Sequence, residues 1–278
     1  MKINKDSLQA RIHKISQEKG ISPNIVLQNY FFDSVLKRLA KSKYSNKFIF
    51  KGGFLLSIVL GINYRSTLDM DFLLKNISLT KDSVENVIQQ IIDIKIDDNI
   101  VFQIKGISEI RQNDEYGGYN VTLIGHLDNI KANVNIDLAT GDPITPNSIH
   151  YSYRCLLDNE LLKLSTYNFE TIVAEKLQTV LMRGTANSRS KDFYDLYIIH
   201  KLKWEEIDKK NLTEAFINTC NYRETPFSKE EAFKILNQIK NSQVMISRWE
   251  QYKKKNEFAK DINFDIVIET ILTIVNEL

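Results

Sequence analysis

The sequence has few of the features that mark a secreted, thiolate-bound or membrane protein. Its 278 residues include two cysteines, Cys155 and Cys220, which are too few and too far apart for a disulfide framework or a thiolate metal site. Residues 1–6 contain no apolar segment of the kind found in secretion signals. The longest apolar stretch, from 54 to 62, contains a serine and a glycine and is too short to span a bilayer. We therefore expect a cytoplasmic protein with no membrane contact.

The chain also lacks an excess of charge of one sign. Its formal net charge is +2, and 26% of its residues are charged while 43% are apolar. These values are ordinary for a soluble globular protein. Any contact with nucleic acid must therefore come from local basic patches rather than from the overall charge.

The pattern along the chain predicts an α/β amino-terminal half and a helical carboxyl-terminal half, with a boundary near residue 160 and a cleft between them. Helices are expected over 7–20, 23–42 and 80–92, and strands over 48–50, 100–107, 119–127 and 132–139. Turns are predicted at 114–118 and 125–129. Pro143 and Pro146 are expected to end the strand series, and the chain is predicted to be almost wholly helical from residue 168 onward.

An Asp-x-Asp motif is the clearest candidate for chemistry. Asp69 and Asp71 alternate with apolar residues at 68, 70 and 72, so the stretch predicts a strand with both carboxylates on its polar face. Residues two apart on a strand lie about 6.6 Å apart along the chain, so the two carboxylates can share a pair of divalent cations. Taken alone, the motif is equally typical of two solvated aspartates on a half-buried strand.

A glycine pair and a basic segment precede this motif. Gly52 and Gly53 have no Cβ, so a phosphate can approach their backbone N–H groups at the start of the following helix. A glycine pair on its own is also typical of a simple turn. Arg65 and Thr67 then lead into the aspartates. The combination at this spacing is more specific than either part, and it outlines a nucleotidyl-transfer site.

A third carboxylate follows on a later predicted strand. Val134, Ile136 and Leu138 alternate with polar residues that include Asp137, so Asp137 projects from the polar face. If this strand neighbours the Asp-x-Asp strand, the three carboxylates converge on one site. Two metal ions about 3.5–4 Å apart could there activate an attacking hydroxyl and neutralise a leaving pyrophosphate. The alternatives are a solvated strand aspartate or a turn-former together with Gly141.

A lysine interrupts the apolar face of the helix predicted over 169–182. At about 100° per residue, Lys176 lies near the middle of a stripe formed by Phe169, Ile172, Val173, Leu177 and Val180. A lysine directed at a buried face needs an anion, and a triphosphate would supply one. The alternatives are that Lys176 extends past the apolar surface to solvent or pairs with a structural carboxylate.

The polar loop after this helix leads into a second acidic motif. Asp192 lies in the first turn of the next predicted helix, where the macrodipole also favours a purely structural role, and Asp195 is expected to order that helix. Arg183, Arg189 and Lys191 flank the loop and are candidates for contacts with substrate phosphates.

A further basic segment lies near the carboxyl terminus. Residues 249–255 mix Trp249 and Tyr252 with three lysines, and such a mixture can stack a base while binding phosphate. The same composition is typical of an ordinary solvated helix face.

The order of these motifs resembles that of the AbiEii toxins of bacterial abortive-infection systems, which belong to the polymerase-β-like nucleotidyltransferases. The resemblance covers about residues 50–196, where Gly-Gly, Arg-x-Thr-x-Asp-x-Asp, Ala-Glu-Lys-Leu-Gln and Arg-x-Lys-Asp-x-x-Asp-Leu follow one another. It implies an α/β (α+β) fold with a mixed sheet. Residues 1–160 would form a nucleotidyltransferase domain with amino-terminal helices, and residues 161–278 a helical domain that contributes Lys176 and Asp192 to the cleft.

The resemblance also implies roles for individual residues. Catalysis would require Lys176 and Asp192 together with a two-metal Mg²⁺ site formed by Asp69, Asp71 and Asp137. The nucleotide-binding residues would be Gly52, Gly53, Arg65, Thr67, Lys176 and Arg189.

By the same resemblance, the protein would be the toxin of a toxin–antitoxin system that serves phage defence. It would transfer a nucleoside monophosphate from an NTP to an RNA acceptor, the 3′ end of tRNA, and so block aminoacylation and translation. A cognate antitoxin encoded nearby is implied, whereas the oligomeric state is left open.

Other functions fit parts of the pattern. The same chemistry would serve a nucleotidyltransferase that modifies a small molecule such as an aminoglycoside. A metal-dependent nuclease is disfavoured because the four histidines, at 13, 126, 150 and 200, are scattered and none accompanies the Asp-x-Asp motif. A non-catalytic binding module would not need three carboxylates and an inward lysine.

Overall fold

A mixed sheet forms the centre of the amino-terminal part of the chain. The computed structural model describes residues 5–110 and 117–278, with side chains from residue 7 onward, and within these residues the sheet has seven strands. In chain order they are β1 (Phe48–Lys51), β2 (Asp69–Leu74), β3 (Val101–Ile110), β4 (Gly118–Leu127), β5 (Ile130–Ala139), β6 (Ile149–Arg154) and β7 (Leu161–Thr166). Their order across the sheet is β3-β4-β5-β2-β1-β7-β6. The β2–β5 and β1–β7 pairs are parallel and the other four are antiparallel.

Helices precede, interrupt and follow the sheet. In chain order they are α1 (Lys5–Lys19), α2 (Pro23–Lys41), α3 (Gly52–Leu60), α4 (Lys81–Ile92), α5 (Phe169–Arg183), α6 (Ser190–Lys203), α7 (Lys209–Tyr222), α8 (Lys229–Lys240), α9 (Gln243–Lys255) and α10 (Phe264–Asn276). Side-chain caps fix several of their starts. The Ser22 and Thr80 hydroxyls accept from the N–H groups of Ile25 and Ser83, and Asn168 caps α5 through Thr171 at 2.8 Å. Such caps satisfy N–H groups that the first helical turn leaves without partners.

The described residues divide into two compact units. The first unit runs to Gly141 and resumes over Ile149–Thr166, so it contains the whole sheet. The second unit comprises Asp142–Ser148 and Tyr167–Leu278, and its regular structure is helical. The predicted mixed α/β fold is confirmed, as is the helical character of the chain beyond residue 168. In the described part of the chain, no helix is long and apolar enough to cross a membrane.

One face of the sheet forms the core of the first unit. Met70 and Phe72 of β2 and Ile136 of β5 are each at most 2% exposed. The Phe72 ring stacks on the Phe50 ring of β1 with centroids 5.0 Å apart. Apolar side chains of α2 and α4 cover this face. Because successive strand residues point to opposite faces, burial of this set directs the intervening polar residues of β2 and β5 to the other face.

Two expectations about the strands need correction. Strands β6 and β7 follow Pro143 and Pro146, so the prolines do not end the series; they lie in the loop before β6. The sequence pattern misses β6 because it is an edge strand in which Tyr153 is the buried residue, and an edge strand needs little apolar alternation. The turn expected over 125–129 is confined to 128–129. Of the turn expected over 114–118, residues 114–116 lie outside the described residues, and Gly118 already belongs to β4.

A buried carboxyl group ties α2 to the β6–β7 hairpin. Asp33 accepts a hydrogen bond from the Tyr153 hydroxyl, and at 2.9 Å it accepts another from the backbone N–H of Leu156. Burial raises the pKa of Asp33 to about 7, although these two hydrogen bonds partly oppose the rise. Nearby, Lys37 of α2 forms ion pairs with Asp158 and Glu160 at the tip of the same hairpin.

This raised pKa predicts a pH-dependent stability. Asp33 has a higher pKa in the folded protein than the ordinary value of 3.8, so folding favours its protonated form. Its contribution is fully present below about pH 4, falls as the pH rises, and is lost above about pH 7, with a total change of roughly 4 kcal/mol. An Asp33→Asn variant should not show this fall in stability with rising pH. We therefore expect the free energy of unfolding of the wild type, relative to Asp33→Asn, to decrease between pH 4 and 8.

Urea unfolding at several pH values measures this difference. The exposed Glu85 of α4 provides a matched control, because Glu85→Gln removes a carboxylate that is not buried. Parallel pH profiles for wild type and Asp33→Asn would contradict the prediction.

Candidate active site

Three aspartates lie on the polar face of the sheet. Strands β2 and β5 pair in parallel with Asp71 opposite Asp137 and Asp69 opposite Asn135. Residues in register on neighbouring strands lie on the same face, about 4.8 Å apart across the strands. All three aspartates are partly exposed. The sheet therefore brings the three candidate carboxylates to one face.

Amide side chains on the same face hold two of these carboxylates. Asn120 of β4 donates from Nδ2 to Asp137 Oδ1 at 2.7 Å, and Asn135 of β5 donates from Nδ2 to Asp69 Oδ1 at 3.4 Å. Thr122 of β4 donates its hydroxyl to Asn135 Oδ1 at 3.2 Å. These neighbours orient the carboxylates, as outer-shell groups do at metal sites.

Sequence reasoning gave these polar neighbours no role, although they leave a signal. Asn120 and Thr122 are two residues apart on β4, with the same period as Asn135 and Asp137 on β5. It also overlooked Lys51, which immediately precedes the glycine pair, is buried, and lies opposite Asp71 in the β1–β2 pairing. A period-two run of polar residues on two adjoining strands is the pattern that could have found the amides.

The first glycine allows Asp71 to approach the start of α3. Gly52 has a φ of +73°, and a Cβ built on it would lie 2.0 Å from Asp71 Oδ2 and 2.4 Å from its carboxyl carbon. Any side chain at this position would therefore displace the carboxylate. The backbone conformation itself also favours glycine.

The second glycine packs against the basic segment that precedes β2. A Cβ on Gly53 would lie 3.0 Å from Arg65 Nη2 and 3.3 Å from Thr67 Cβ. Arg65 is 5% exposed and donates from Nη1 to the carbonyl of Ser66. Thr67 Oγ1 accepts from the N–H of Asp69 at 3.4 Å. The structure thus gathers the glycine pair, Arg65, Thr67 and the β2 aspartates, while their contacts with a nucleotide stay predictions.

The apolar partner expected at position 68 does not join the strand. Leu68 is 60% exposed and β2 begins at Asp69, so the buried alternation starts with Met70. Its side chain lies outside the core of the sheet.

The donor chemistry of the three aspartates fits a hard divalent cation. Oxygen ligands from carboxylates are those that Mg²⁺ prefers, and Asp71 and Asp137 are directly opposite in the parallel pair. Within residues 5–110 and 117–278, no three acidic, histidine or cysteine side chains are gathered closely enough to hold a metal ion as they stand. The metal site therefore stays a prediction. The three aspartates are ligands of the right chemical type, and they share one face of the sheet.

In the second unit, Lys176 is directed inward and meets two carboxylates of α6. Its Nζ lies 2.9 Å from Asp192 Oδ1 and 2.7 Å from Asp195 Oδ2. The carboxylates are 2% and 0% exposed and the lysine side chain is 13% exposed. The predicted stripe is largely buried around it, with Ile172, Val173, Leu177 and Val180. Of the possibilities open from the sequence, the observed contact is an ion pair with carboxylates, those of Asp192 and Asp195; the catalytic roles of Lys176 and Asp192 and a contact between Lys176 and a phosphate stay predictions.

Arg189 completes this network. Its Nε donates to Asp192 Oδ2 at 2.7 Å, and its side chain is 42% exposed. Burial alone would raise the pKa of Asp192, but Lys176 and Arg189 outweigh it and lower that pKa to about 2. Burial alone would lower the pKa of Lys176, but Asp192 and Asp195 outweigh it and raise that pKa. The positive charges of Lys176 and Arg189 therefore neutralise the negative charges of Asp192 and Asp195.

Trp249, in the segment 249–255, belongs to the core of the second unit. Trp249 is 1% exposed, its Nε1 donates to the carbonyl of Ile262 at 3.0 Å, and its ring stacks on Tyr252 with centroids 5.4 Å apart. It cannot stack on a nucleic-acid base, so that part of the sequence interpretation is wrong. Lys254 and Lys255 are exposed, as are Arg183 and Lys191 beside the α5–α6 loop.

Comparison with known proteins points to one family. Residues 34–270 match the family described as nucleotidyl transferase AbiEii toxin, type IV toxin–antitoxin system. Among curated proteins, none matches this sequence.

Two solved structures from Helicobacter pylori are similar over most of the chain. One is a candidate nucleotidyltransferase, with 13% identity and a TM-score of 0.49, covering 92% of this chain and 95% of that one. The other is JHP933, with the same identity, TM-score and coverage of this chain, and 91% coverage of its own.

The contact between Gly52 and Asp71 predicts a strong effect of a single methyl group. Gly52→Ala should displace the Asp71 carboxylate and reduce nucleotidyl transfer by about 100-fold, since small displacements of catalytic groups cost that much. Gly20→Ala is the matched control, because Gly20 also has a positive φ, +63°, but has nothing within 4 Å of an added Cβ. Initial transfer rates and melting temperatures of both variants test this. Equal transfer rates in the two variants would show that the Asp71 position does not matter.

The ion network predicts that Lys176 stabilises the fold. Lys176→Met would leave the buried Asp192 and Asp195 without their shared cation, and breaking such a buried pair costs roughly 3–5 kcal/mol. We therefore expect a large fall in the free energy of unfolding, measured in urea, and a loss of the acid-side stability that Asp192 supplies above about pH 4 and loses as the pH falls towards 2. The exposed Lys254→Met provides the control. If Lys176→Met unfolds at the wild-type urea concentration, the network has no structural role.

Proposed function

Because the chain belongs to the AbiEii family of nucleotidyl transferase toxins, we propose that it transfers a nucleoside monophosphate from an NTP to the 3′ end of tRNA. Membership of this family makes the protein a nucleotidyltransferase and the toxin of a type IV toxin–antitoxin system, with an NTP as substrate and a cognate antitoxin as partner. The acceptor, the metal and the individual residue roles form the proposal.

The parallel pairing of β2 with β5 carries the proposal. It sets Asp71 opposite Asp137, with Asp69 two residues earlier on the same face, and Gly52 leaves room for the Asp71 carboxylate at the start of α3. Carboxylates on one face beside the start of a helix suit a substrate that brings both metal and phosphate.

In this proposal Asp69, Asp71 and Asp137 hold Mg²⁺, as a pair of ions. When bound, the metal supplies a Lewis acid that stabilises the charge developing on the transferred phosphate. Asn120 and Asn135 would hold two of the carboxylates in place for it through their hydrogen bonds. The backbone of Gly52 and Gly53 offers N–H groups to a phosphate of the NTP.

The transfer forms one bond and breaks another. The hydroxyl oxygen of the acceptor bonds to the α-phosphorus, and the bond between that phosphorus and the α–β bridging oxygen breaks, so pyrophosphate leaves with the bonding pair. The hydroxyl proton passes to a carboxylate of the acidic face and from there to water. The product is RNA longer by one nucleotide for each NTP consumed.

The acceptor is assigned by similarity of sequence motifs and by charge. Arg183 and Lys191 are exposed near the α5–α6 loop and can contact phosphates of an RNA backbone. Addition to the 3′ end of tRNA would block aminoacylation and stop translation, which accounts for toxicity and would serve abortive infection in the cytoplasm.

Incubation with labelled NTPs, Mg²⁺ and total tRNA tests the acceptor directly. Lengthened tRNA carrying the label is the expected result, and chelation of the metal should abolish it. Label transferred to an aminoglycoside instead would identify a small-molecule acceptor. Shortened RNA without label would identify a nuclease and contradict the proposal.

The acidic face predicts the phenotype of three substitutions. Asp69→Asn, Asp71→Asn and Asp137→Asn should each reduce transfer by about 100-fold or more, because a bound metal contributes several kcal/mol to the transition state. Growth inhibition on expression should disappear with the transfer. The variants should stay folded, and Asp69→Asn and Asp137→Asn should melt at or slightly above the wild-type temperature, since each relieves repulsion between like charges.

The exposed Asp82 in the first turn of α4 supplies the control, because Asp82→Asn removes the same group from a different surface. A folded Asp71→Asn variant that inhibits growth as strongly as the wild type would refute the metal site.

A further inference from the structure

The loop between α5 and α6 is a short, mostly exposed segment that carries one charged side chain, that of Arg189. It comprises the single 3₁₀ turn Gly184–Ala186 and residues 187–189, and Thr185, Ser188 and Arg189 are exposed. Asn187 is the buried residue of the loop, at 1% exposure. Its Oδ1 accepts a hydrogen bond from the backbone N–H of Arg189 at 2.8 Å, so Asn187 fixes the position of the Arg189 backbone.

A side chain from α9 holds this loop through its backbone. Arg248 donates from Nη1 to the carbonyl oxygens of Thr185 and Asn187, at 3.1 and 2.9 Å. In return, the Ser190 hydroxyl contacts the Arg248 carbonyl at 3.5 Å. The neighbouring Trp249 is buried in the core. Arg248 therefore projects from a firmly packed helix and fixes both sides of Ala186.

The same loop ends in a residue that can bind a phosphate. Arg189 uses Nε for Asp192, and among the described residues neither of its Nη nitrogens has a hydrogen-bond or ion-pair partner. Asp192 is itself held by Lys176. A guanidinium held at Nε presents its two Nη groups as a fork, and such a fork binds two phosphate oxygens at once.

We propose that Arg248 is a positioning residue that acts through Arg189. Arg248 holds the backbone that precedes Arg189, and Asp192 holds the Arg189 side chain. The two Nη groups of Arg189 are therefore ordered before the substrate arrives. This proposal rests on the proposed function in one respect: the phosphate that Arg189 binds belongs to the NTP. The benefit is preorganisation, because a loop that must be ordered on binding weakens affinity.

Substitution at Arg248 should change nucleotide affinity more than protein stability. Arg248→Gln removes the donors to both carbonyls, and we expect KM for the NTP to rise by between about ten- and a hundredfold, with a smaller change in kcat. Arg248→Lys retains the charge and one donor and should recover part of the affinity. The melting temperature should change little, because the loop is exposed. Lys254→Gln removes a charge from the same helix without contacting the loop and is the matched control.

A double-mutant cycle separates positioning from a general structural role. If Arg248 acts through Arg189, the double variant Arg248→Gln/Arg189→Gln should bind the NTP no more weakly than Arg189→Gln alone. A structural role predicts instead that the two effects add. Additive losses, or a KM for Arg248→Gln equal to that of Lys254→Gln, would overturn the proposal.

A binding measurement distinguishes failure of this inference from failure of the proposed function. Calorimetry with non-hydrolysable analogues of the four NTPs reports affinity without any acceptor. If wild type binds an analogue, Arg248→Gln weakens that binding and tRNA is not extended, the assigned acceptor is wrong and the role of Arg248 stands. If binding of the preferred analogue is unchanged in Arg248→Gln, the role of Arg248 is refuted whatever the acceptor.

Discussion

The parallel register between β2 and β5 is the constraint on which the acidic face depends. It sets Asp71 opposite Asp137, and it is fixed by residues that take no part in chemistry. Met70, Phe72 and Ile136 are buried on the opposite face, and a slip of one residue would exchange the two faces of a strand. Such a slip would bury the carboxylates and expose the apolar side chains. The hydrophobic effect therefore determines the geometry of a polar site, and the amides of Asn120 and Asn135 refine it.

The two clusters of charged side chains in the chain differ in their net charge. Three carboxylates share the polar face of the sheet and are partly exposed, an arrangement that becomes more favourable when a cation binds. In the second unit, Lys176 and Arg189 neutralise Asp192 and Asp195, and both carboxylates are almost fully buried. The first cluster is suited to bind a ligand of opposite charge. The second is already satisfied and is suited to hold Arg189 in place.

Features with a short sequence period could be predicted, and features that join distant segments could not. The Asp-x-Asp strand and the inward direction of Lys176 both follow from local pattern. The carboxylate partners of Lys176 lie 16 and 19 residues further along the chain, on another helix, so only the need for an anion could be inferred. Strand β6 was missed because it lies at the edge of the sheet and buries a single side chain, whereas β7 lies inside the sheet and was missed although four of its six residues are buried.

The aromatic and basic segment of α9 shows why composition alone misleads. Trp249 and Tyr252 are three residues apart, which is the spacing of a buried helix face as much as that of a stacking surface. The structure selects the buried face, and the neighbouring Arg248 then points at the α5–α6 loop. Arg248, to which the sequence pattern gave no role, thus contacts the loop, while Trp249, which the pattern singled out, is buried in the core.

Loss of activity cannot by itself separate chemical from structural roles in the second unit. Lys176, Asp192 and Asp195 form one largely buried network, and removing a single member leaves its charges unbalanced. Such a change alters the fold around Arg189 whether or not the removed group ever contacts a substrate. On the sheet, by contrast, the carboxylates are partly exposed, so one can be replaced without leaving a buried charge behind. A stable but inactive variant of a carboxylate on β2 or β5 therefore indicates a chemical role for that carboxylate. In the Lys176 network, stability and nucleotide affinity must be measured together to separate the two kinds of role.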